Sequence, residues 1–273
     1  MKSFLKPLAF FVAISLVTVS CKRENIAQPQ DEISPTVLQQ IKAQGFSTQN
    51  VRKVEEGYLV EGDIILTEEN LTAQSTSPNL LIANTEQYRT TNLVKGLPRT
   101  ITVSISGTLS GLTVWSNATD ALISRYNALG LRVNFLRAAS NGDVDIVGFN
   151  QGPSGGYITL GSSGFPTRNG NPYKQIKMNT NINAYGANPN EGYITSVLQH
   201  EMGHCIGFRH TDYFNRSLSC GGAASNEGAS NVGAIYIPGT PSGFDAESFM
   251  LACSAGTDRS FNPNDITALN YLY

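Results

Sequence analysis

Between residues 99 and 207 the chain alternates between two hydrophobic rhythms. "RTITVSIS" (99–106) places apolar and polar residues in turn, the period-two pattern of a half-buried strand. "NATDALISRYNALG" (117–130) changes the period: Leu122, Ile123, Tyr126 and Leu129 fall on one side of a helix that Gly130 ends. "RVNFLRA" (132–138), "DVDIVGF" (143–149), "GYITLGS" (156–162) and "QIKMNTN" (175–181) predict four more strands. "YITSVLQHEMGHCIG" (193–207) returns to the helical period, with Ile194, Val197, Leu198 and Cys205 on one face. Strands, one crossover helix and a long second helix predict an α+β domain, a mixed twisted sheet of about five strands carrying two long helices.

The flanks read differently. Ser34 and Pro35 start a short helix, Val37, Leu38 and Ile41 share its face, and Gly45 stops it. "VRKVEEGYLVEGDIIL" (51–66) predicts two strands around a Glu-Glu-Gly turn. The pattern weakens over 73–98, where serine, threonine and asparagine predict a linker. A long glycine-rich stretch, 214–245, either shapes one side of a cleft or is a surface loop.

At the N-terminus, Lys2 and Lys6 precede an apolar run, 7–20, that is short for a bilayer span and reads as an export signal. Cys21 follows a small residue. In this "TVSC" resembles bacterial lipoprotein signals, although Thr18 stands where leucine is usual. The resemblance implies cleavage before Cys21, lipidation of its thiol and a membrane-anchored protein at the periplasmic face or cell surface; the alternative is plain secretion. The expected organisation is a signal over 1–20, an N-terminal prosegment-like region and linker over 21–84, and a catalytic domain over 85–273. Export permits a disulfide among Cys205, Cys220 and Cys253, and the sequence does not choose the pair. A formal net charge of −2 without a basic run excludes nucleic acid as the main partner.

All three histidines of the chain lie within eleven positions: His200, His204 and His210. On a helix, His200 and His204 stand one turn apart, with Cβ atoms about 5–6 Å from each other, so both imidazoles reach one ion. Gly207 lets the backbone leave helical geometry, and the turn brings His210 back to the same ion. Three neutral imidazoles with an open fourth position suit a catalytic zinc. Glu201, beside His200, is not needed as a ligand and is placed to take a proton from water as general base.

"HEMGHCIGFRHTD" (200–212) resembles the metzincin metalloproteases, with their H-E-x-x-H-x-x-G-x-x-H motif, and more narrowly the bacterial dual-action HEIGH metallopeptidases. "DAESFM" ends in Met250, where the resemblance implies a Met-turn forming an apolar floor under the metal. "NPNDITALNYLY" (262–273) resembles the closing helix of the small C-terminal subdomain. Asp212, after the third histidine, either anchors its loop by hydrogen bonds or is a solvated turn aspartate. Ala252 stands where astacins and serralysins carry a metal-side tyrosine, and Tyr213 has no motif support as a substitute. "VEGD" (60–63) resembles the F-x-G-D stretch of astacin prosegments, which implies that Gly62 lets the backbone approach closely and that Asp63 caps the metal in a latent enzyme; otherwise it is a hairpin with a surface aspartate. Together these imply an exported zinc endopeptidase, with peptides pairing along 156–162. The rivals are a cell-wall peptide hydrolase of the same chemistry and a catalytically weak surface binding module.

Overall fold

In the computed structural model, the described residues are 33–44, 46–72, 87–154, 156–224 and 234–273, and Ile33–Tyr273 form one compact unit. The export signal, Cys21 and most of the predicted 73–98 linker lie outside the described residues.

The chain runs α1 (Pro35–Ala43), β1 (Arg52–Val54), β2 (Gly57–Val60), β3 (Ile64–Leu66), α2 (Glu68–Thr72), β4 (Tyr88–Arg89), β5 (Arg99–Ile105), α3 (Thr113–Asn127), β6 (Val133–Arg137), β7 (Val144–Phe149), β8 (Gly161–Gly164), β9 (Gln175–Asn179), α4 (Ile182–Tyr185), α5 (Glu191–Ile206), β10 (Phe208–Arg209), α6 (Ser217–Cys220), β11 (Ile235–Tyr236) and α7 (Pro263–Leu272). The main sheet has the order β1-β2-β3-β8-β9-β7-β5-β6, and a small antiparallel sheet has the order β10-β4-β11.

The α+β class and the mixed sheet match the expectation; the strand count does not. Residues 99–179 do supply five strands, but three more, β1–β3, extend the same sheet from the N-terminal region. The segment 51–66 is therefore three strands, because Glu61, Gly62 and Asp63 form a second turn that returns the chain along β2. The predicted strand over 156–162 is also displaced. The regular strand is Gly161–Gly164, antiparallel to β9, and only an isolated bridge joins Ser154 to Tyr157. Nor is β8 an open edge: β3 runs parallel to it, pairing Ile64 with Ser163 and Ile65 with Gly164.

Each helix that frames the site starts and stops for local reasons. Asn190 caps α5 by accepting from the Tyr193 amide, and Gly207 ends it at φ 113°, a left-handed conformation that costs glycine little. The one-sided apolar face expected of α5 is exceeded. Gln199, Glu201 and His204 are as buried as Leu198, because α3 packs on one flank and β8 and β9 lie against another. Asn262 caps α7 with Pro263 at the first position, and Asp265 closes a reciprocal capping box. Asp265 also accepts from Gln87 Nε2 (2.6 Å), Ser248 Oγ (3.1 Å) and the Phe249 amide (3.1 Å), so one buried carboxylate ties the closing helix to the turn before Met250.

The apolar interior has two parts. The larger lies between the sheet and α3, α5 and α7, and includes Ile101, Tyr126, Ile146, Leu198 and Leu269. The smaller collects Ile41, Phe46, Tyr58, Val60, Ile64, Leu66 and Leu71 around Phe165, which follows β8. The smaller core is thus built from residues 41–71 and closed by one aromatic residue from beyond β8.

Cys220 is bonded to Cys253, and Cys205 is the free, buried thiol on α5. The bridge spans 33 residues of sequence, so in the chain-entropy account it restricts the unfolded state by about 3–4 kcal/mol. Urea unfolding with and without reductant is expected to show a loss of that order; an unchanged midpoint would reject it.

Candidate metal centre

The helix α5 presents His200 and His204 one turn apart, and the left-handed turn at Gly207 brings β10 and His210 back over them. The ring centroids are 4.7 Å (His200–His204), 5.3 Å (His200–His210) and 4.9 Å (His204–His210) apart. Asp63, from the turn between β2 and β3, completes the group, and the four ligand atoms lie within 4.8 Å of one another. Asp63 Oδ2 is 3.1 Å from His210 Nε2 and 3.4 Å from His200 Nε2. A tetrahedral ion with bonds of about 2.0–2.1 Å separates its ligands by roughly 3.3 Å, so these spacings suit one zinc.

The hydrogen bonding of the imidazoles fits them for a metal. His200 Nδ1 donates to the Phe249 carbonyl (2.9 Å) and His204 Nδ1 to the Phe208 carbonyl (2.8 Å), which fixes both rings with Nε2 as the lone-pair nitrogen. His204 Nε2 is buried with no hydrogen-bond partner, and so is Asp63 Oδ1. A buried imidazole nitrogen left without a donor is costly unless an ion takes it. Burial, then the neighbouring rings of His200 and His210, hold the His204 imidazolium far below its ordinary pKa, so this ring is in its neutral, ligating form. Burial alone would raise the Asp63 carboxyl, but His210, His200 and His204 outweigh it and keep that group well below the usual carboxylate range.

Glu201 lies on the same helix with its carboxylate buried. Ser163 Oγ on β8 donates to Glu201 Oε2 at 2.7 Å. A Cβ at Gly161 would stand 2.8 Å from Glu201 Oε1, so the first residue of β8 is glycine where the strand crosses this carboxylate. Burial first, and the Asp63 carboxylate second, push the Glu201 carboxyl well above its ordinary pKa. Neither partner of Glu201 was apparent beforehand: Gly161 lies in the predicted strand 156–162 and Ser163 just past it, and nothing in that pattern links either to a residue about 40 positions on.

The remaining predicted residues are accounted for. Met250 is fully buried, and its carbonyl accepts from the Thr211 amide (2.9 Å), next to His210. Asp212 accepts from the Ala252 amide (2.9 Å) and from Ser219 Oγ (2.5 Å), joining the ligand loop to α6 and to the chain after Met250. Tyr213 packs edge-on against Tyr88 at 4.4 Å and is buried. Gly62 differs from the expectation: nothing closer than 3.7 Å faces a Cβ there, and its requirement is the backbone angle, φ 96°. Two further residues escaped sequence reasoning. Arg209 and Glu61 form a fully buried ion pair beside His210, with Arg209 Nη2 at 2.8 and 3.0 Å from the two Glu61 oxygens. Acid and base lie 148 positions apart in the sequence, and no local pattern links them.

Residues 58–273 match the family model of the dual-action HEIGH metallo-peptidases. The chain belongs to this family. The metallopeptidase assignment and the zinc expected from three imidazoles thus rest on a match that covers most of the chain and begins inside β2, so it includes Asp63. No curated protein matches in sequence. Among solved structures, myroilysin is similar with a TM-score of 0.41 at 12% identity, over 67% of this chain and 86% of that one. A hatching enzyme zinc-protease from the medaka fish Oryzias latipes is similar with a TM-score of 0.37 at 17% identity, over 63% of this chain and 88% of that one.

Proposed function

We propose that this metallopeptidase is an exported zinc endopeptidase, made in a latent form in which Asp63 occupies the position that water takes in the working enzyme. The observation that carries this reading is the convergence of His200, His204, His210 and Asp63 around a buried imidazole nitrogen with no protein partner. Bound there, zinc supplies a Lewis acid that polarises the peptide carbonyl and makes water a nucleophile near neutral pH. The three imidazoles, oriented by the carbonyls of Phe249 and Phe208 and by the turn at Gly207, hold the ion. Glu201, held by its Ser163 hydrogen bond on the same helix as two of the imidazoles, takes the proton of the attacking water and later passes it to the leaving amine. Met250 and Asp212 keep the floor and the ligand loop in register.

In this reading residues 21–84 are a prosegment. β3 lies along β8, on the strand that a substrate peptide would otherwise join by strand addition. Export is supported by the charged start and apolar run before Cys21, and by a disulfide, which suits an oxidising compartment. Intact-mass spectrometry of the protein from its membrane fraction is expected to show an N-terminus at Cys21 with added acyl mass. An unmodified Cys21 would reject the anchor and leave secretion.

Elemental analysis of the full-length protein is expected to give one zinc per chain, and chelation is expected to abolish casein hydrolysis by the activated enzyme. Zinc at much less than one equivalent in folded protein, or cleavage indifferent to chelator, would sink the assignment.

A further inference from the structure

We propose that Asp265 and Ser248 are positioning residues for the metal ligand His200: a hydrogen-bond chain carries the influence of the Asp265 carboxylate through one peptide group to the His200 ring and strengthens its hold on zinc. The inference rests on the reading of His200 as a zinc ligand.

The chain can be followed bond by bond. His200 Nδ1 donates to the Phe249 carbonyl at 2.9 Å. The N–H of that same peptide group, on Met250, donates to Ser248 Oγ at 3.2 Å. Ser248 Oγ donates to Asp265 Oδ1 at 3.1 Å. Gln87 Nε2 supports the last two members, donating to Ser248 Oγ at 3.0 Å and to Asp265 Oδ1 at 2.6 Å. A hydroxyl carries one proton and two acceptor sites. With the Met250 amide and Gln87 on the acceptor sites, the Ser248 proton is left for Asp265, so every donor in the chain points away from the ring and towards the carboxylate. The other oxygen, Oδ2, accepts from the amides of Phe249 (3.1 Å) and Asn262 (3.0 Å). Burial pushes the Asp265 carboxyl up to about 6 against these donors, so it is ionised at neutral pH. Gln87, Ser248 and Asp265 are all fully buried.

Two features make this more than a brace for α7. First, hydrogen bonds that run in one sense through a low-dielectric interior polarise one another. A carboxylate behind a ligating histidine makes its metal-side nitrogen a better donor to the ion. Here a hydroxyl and a peptide group stand between the two. Second, the turn closes tightly on α5, which brings its carbonyl to the ring. A Cβ at Gly203 would stand 2.5 Å from Met250 Sδ and 2.8 Å from Phe249 Cε2, so only glycine leaves room for that approach. His204, one turn along the same helix, donates instead to the Phe208 carbonyl in β10 and serves as an internal reference.

The test uses the full-length, zinc-loaded protein with isotope-labelled histidine, whose three rings are separately observable by NMR. Ser248→Ala cuts the chain between Met250 and Asp265. Its His200 Nδ1–H proton is expected to move upfield, the mark of a weaker hydrogen bond, while that of His204 stays in place. Competition with a chelator is expected to show zinc held about tenfold more weakly. Asp265→Asn, which removes the charge, should shift both readouts in the same direction; if it does not fold, Ser248→Ala decides. The control is Asn262→Ala. The Asn262 side chain bonds Asp245 and the Asn264 and Asp265 amides but not Ser248, so its loss should lower the unfolding temperature and leave the His200 resonance and zinc affinity unchanged. An unmoved His200 resonance or unchanged zinc affinity in Ser248→Ala would overturn the proposal. So would an equal loss of zinc in Asn262→Ala, which would reduce the effect to stability. A wild type that takes up no zinc would instead count against the metal site and overturn the metal half, and the His200 resonance of the metal-free protein would then decide the hydrogen-bond chain alone.

Discussion

Glu201→Gln is expected to lower peptide hydrolysis by a factor of about 10²–10⁴, the usual contribution of a positioned general base, with zinc still bound at one equivalent. Glutamine keeps the length of the side chain and an oxygen that can accept from Ser163 Oγ, so the crossing of β8 over α5 need not change. What it removes is the basic oxygen. Glu201 is not one of the four residues whose side chains could hold a metal, and His200 and His204 retain their carbonyl anchors in the variant. Loss of activity with retained metal therefore separates proton transfer from metal binding. Glu201→Ala should lose as much activity and also some stability, because Ser163 Oγ is then left without the carboxylate. The comparison is made by single-turnover hydrolysis of a fluorogenic peptide alongside metal analysis of the same sample. A Glu201→Gln enzyme that cuts at the wild-type rate would remove this residue from the mechanism.

How the site could be read from the sequence follows from which contacts are local. Four ligand-motif positions lie within eleven residues on one helix and its exit turn, where spacing alone fixes the geometry: His200, His204, Gly207 and His210. The caps of α1, α5 and α7 are equally local: Ser34, Asn190 and Asn262 each accept from an amide two or three residues on. Long-range partners left no such trace. Ser163 reaches Glu201 across 38 positions, Gln87 reaches Asp265 across 178, and each looks like an ordinary polar residue in its own neighbourhood. Strand pairing failed for a related reason. The segment 51–66 showed its alternation but not its partner, and only the parallel register of β3 on β8 reveals that it completes the main sheet. Asp63 lies between these cases: a four-residue motif pointed to it, while the fold is what carries it 147 positions to His210.

That placement leads to the second large effect. Full-length Asp63→Ala is expected to hydrolyse peptides at least about tenfold faster than the full-length wild type before any processing. A carboxylate delivered from the same chain competes with water and substrate at the high effective concentration of an intramolecular ligand. Its removal relieves that competition directly. The gain should stay short of full activation, since β3 still covers β8 and Glu61 still holds Arg209, so the segment stays docked without its aspartate. Proteolytic removal of the segment should therefore add a further increase in both proteins and bring them to the same final rate. The measurement is the initial rate of a quenched peptide substrate for both chains, before and after cutting, with zinc content checked in each. Two results would end the latency argument: equal rates before cutting, which would make Asp63 a bystander, or loss of zinc in Asp63→Ala, which would make it a permanent ligand of the ion.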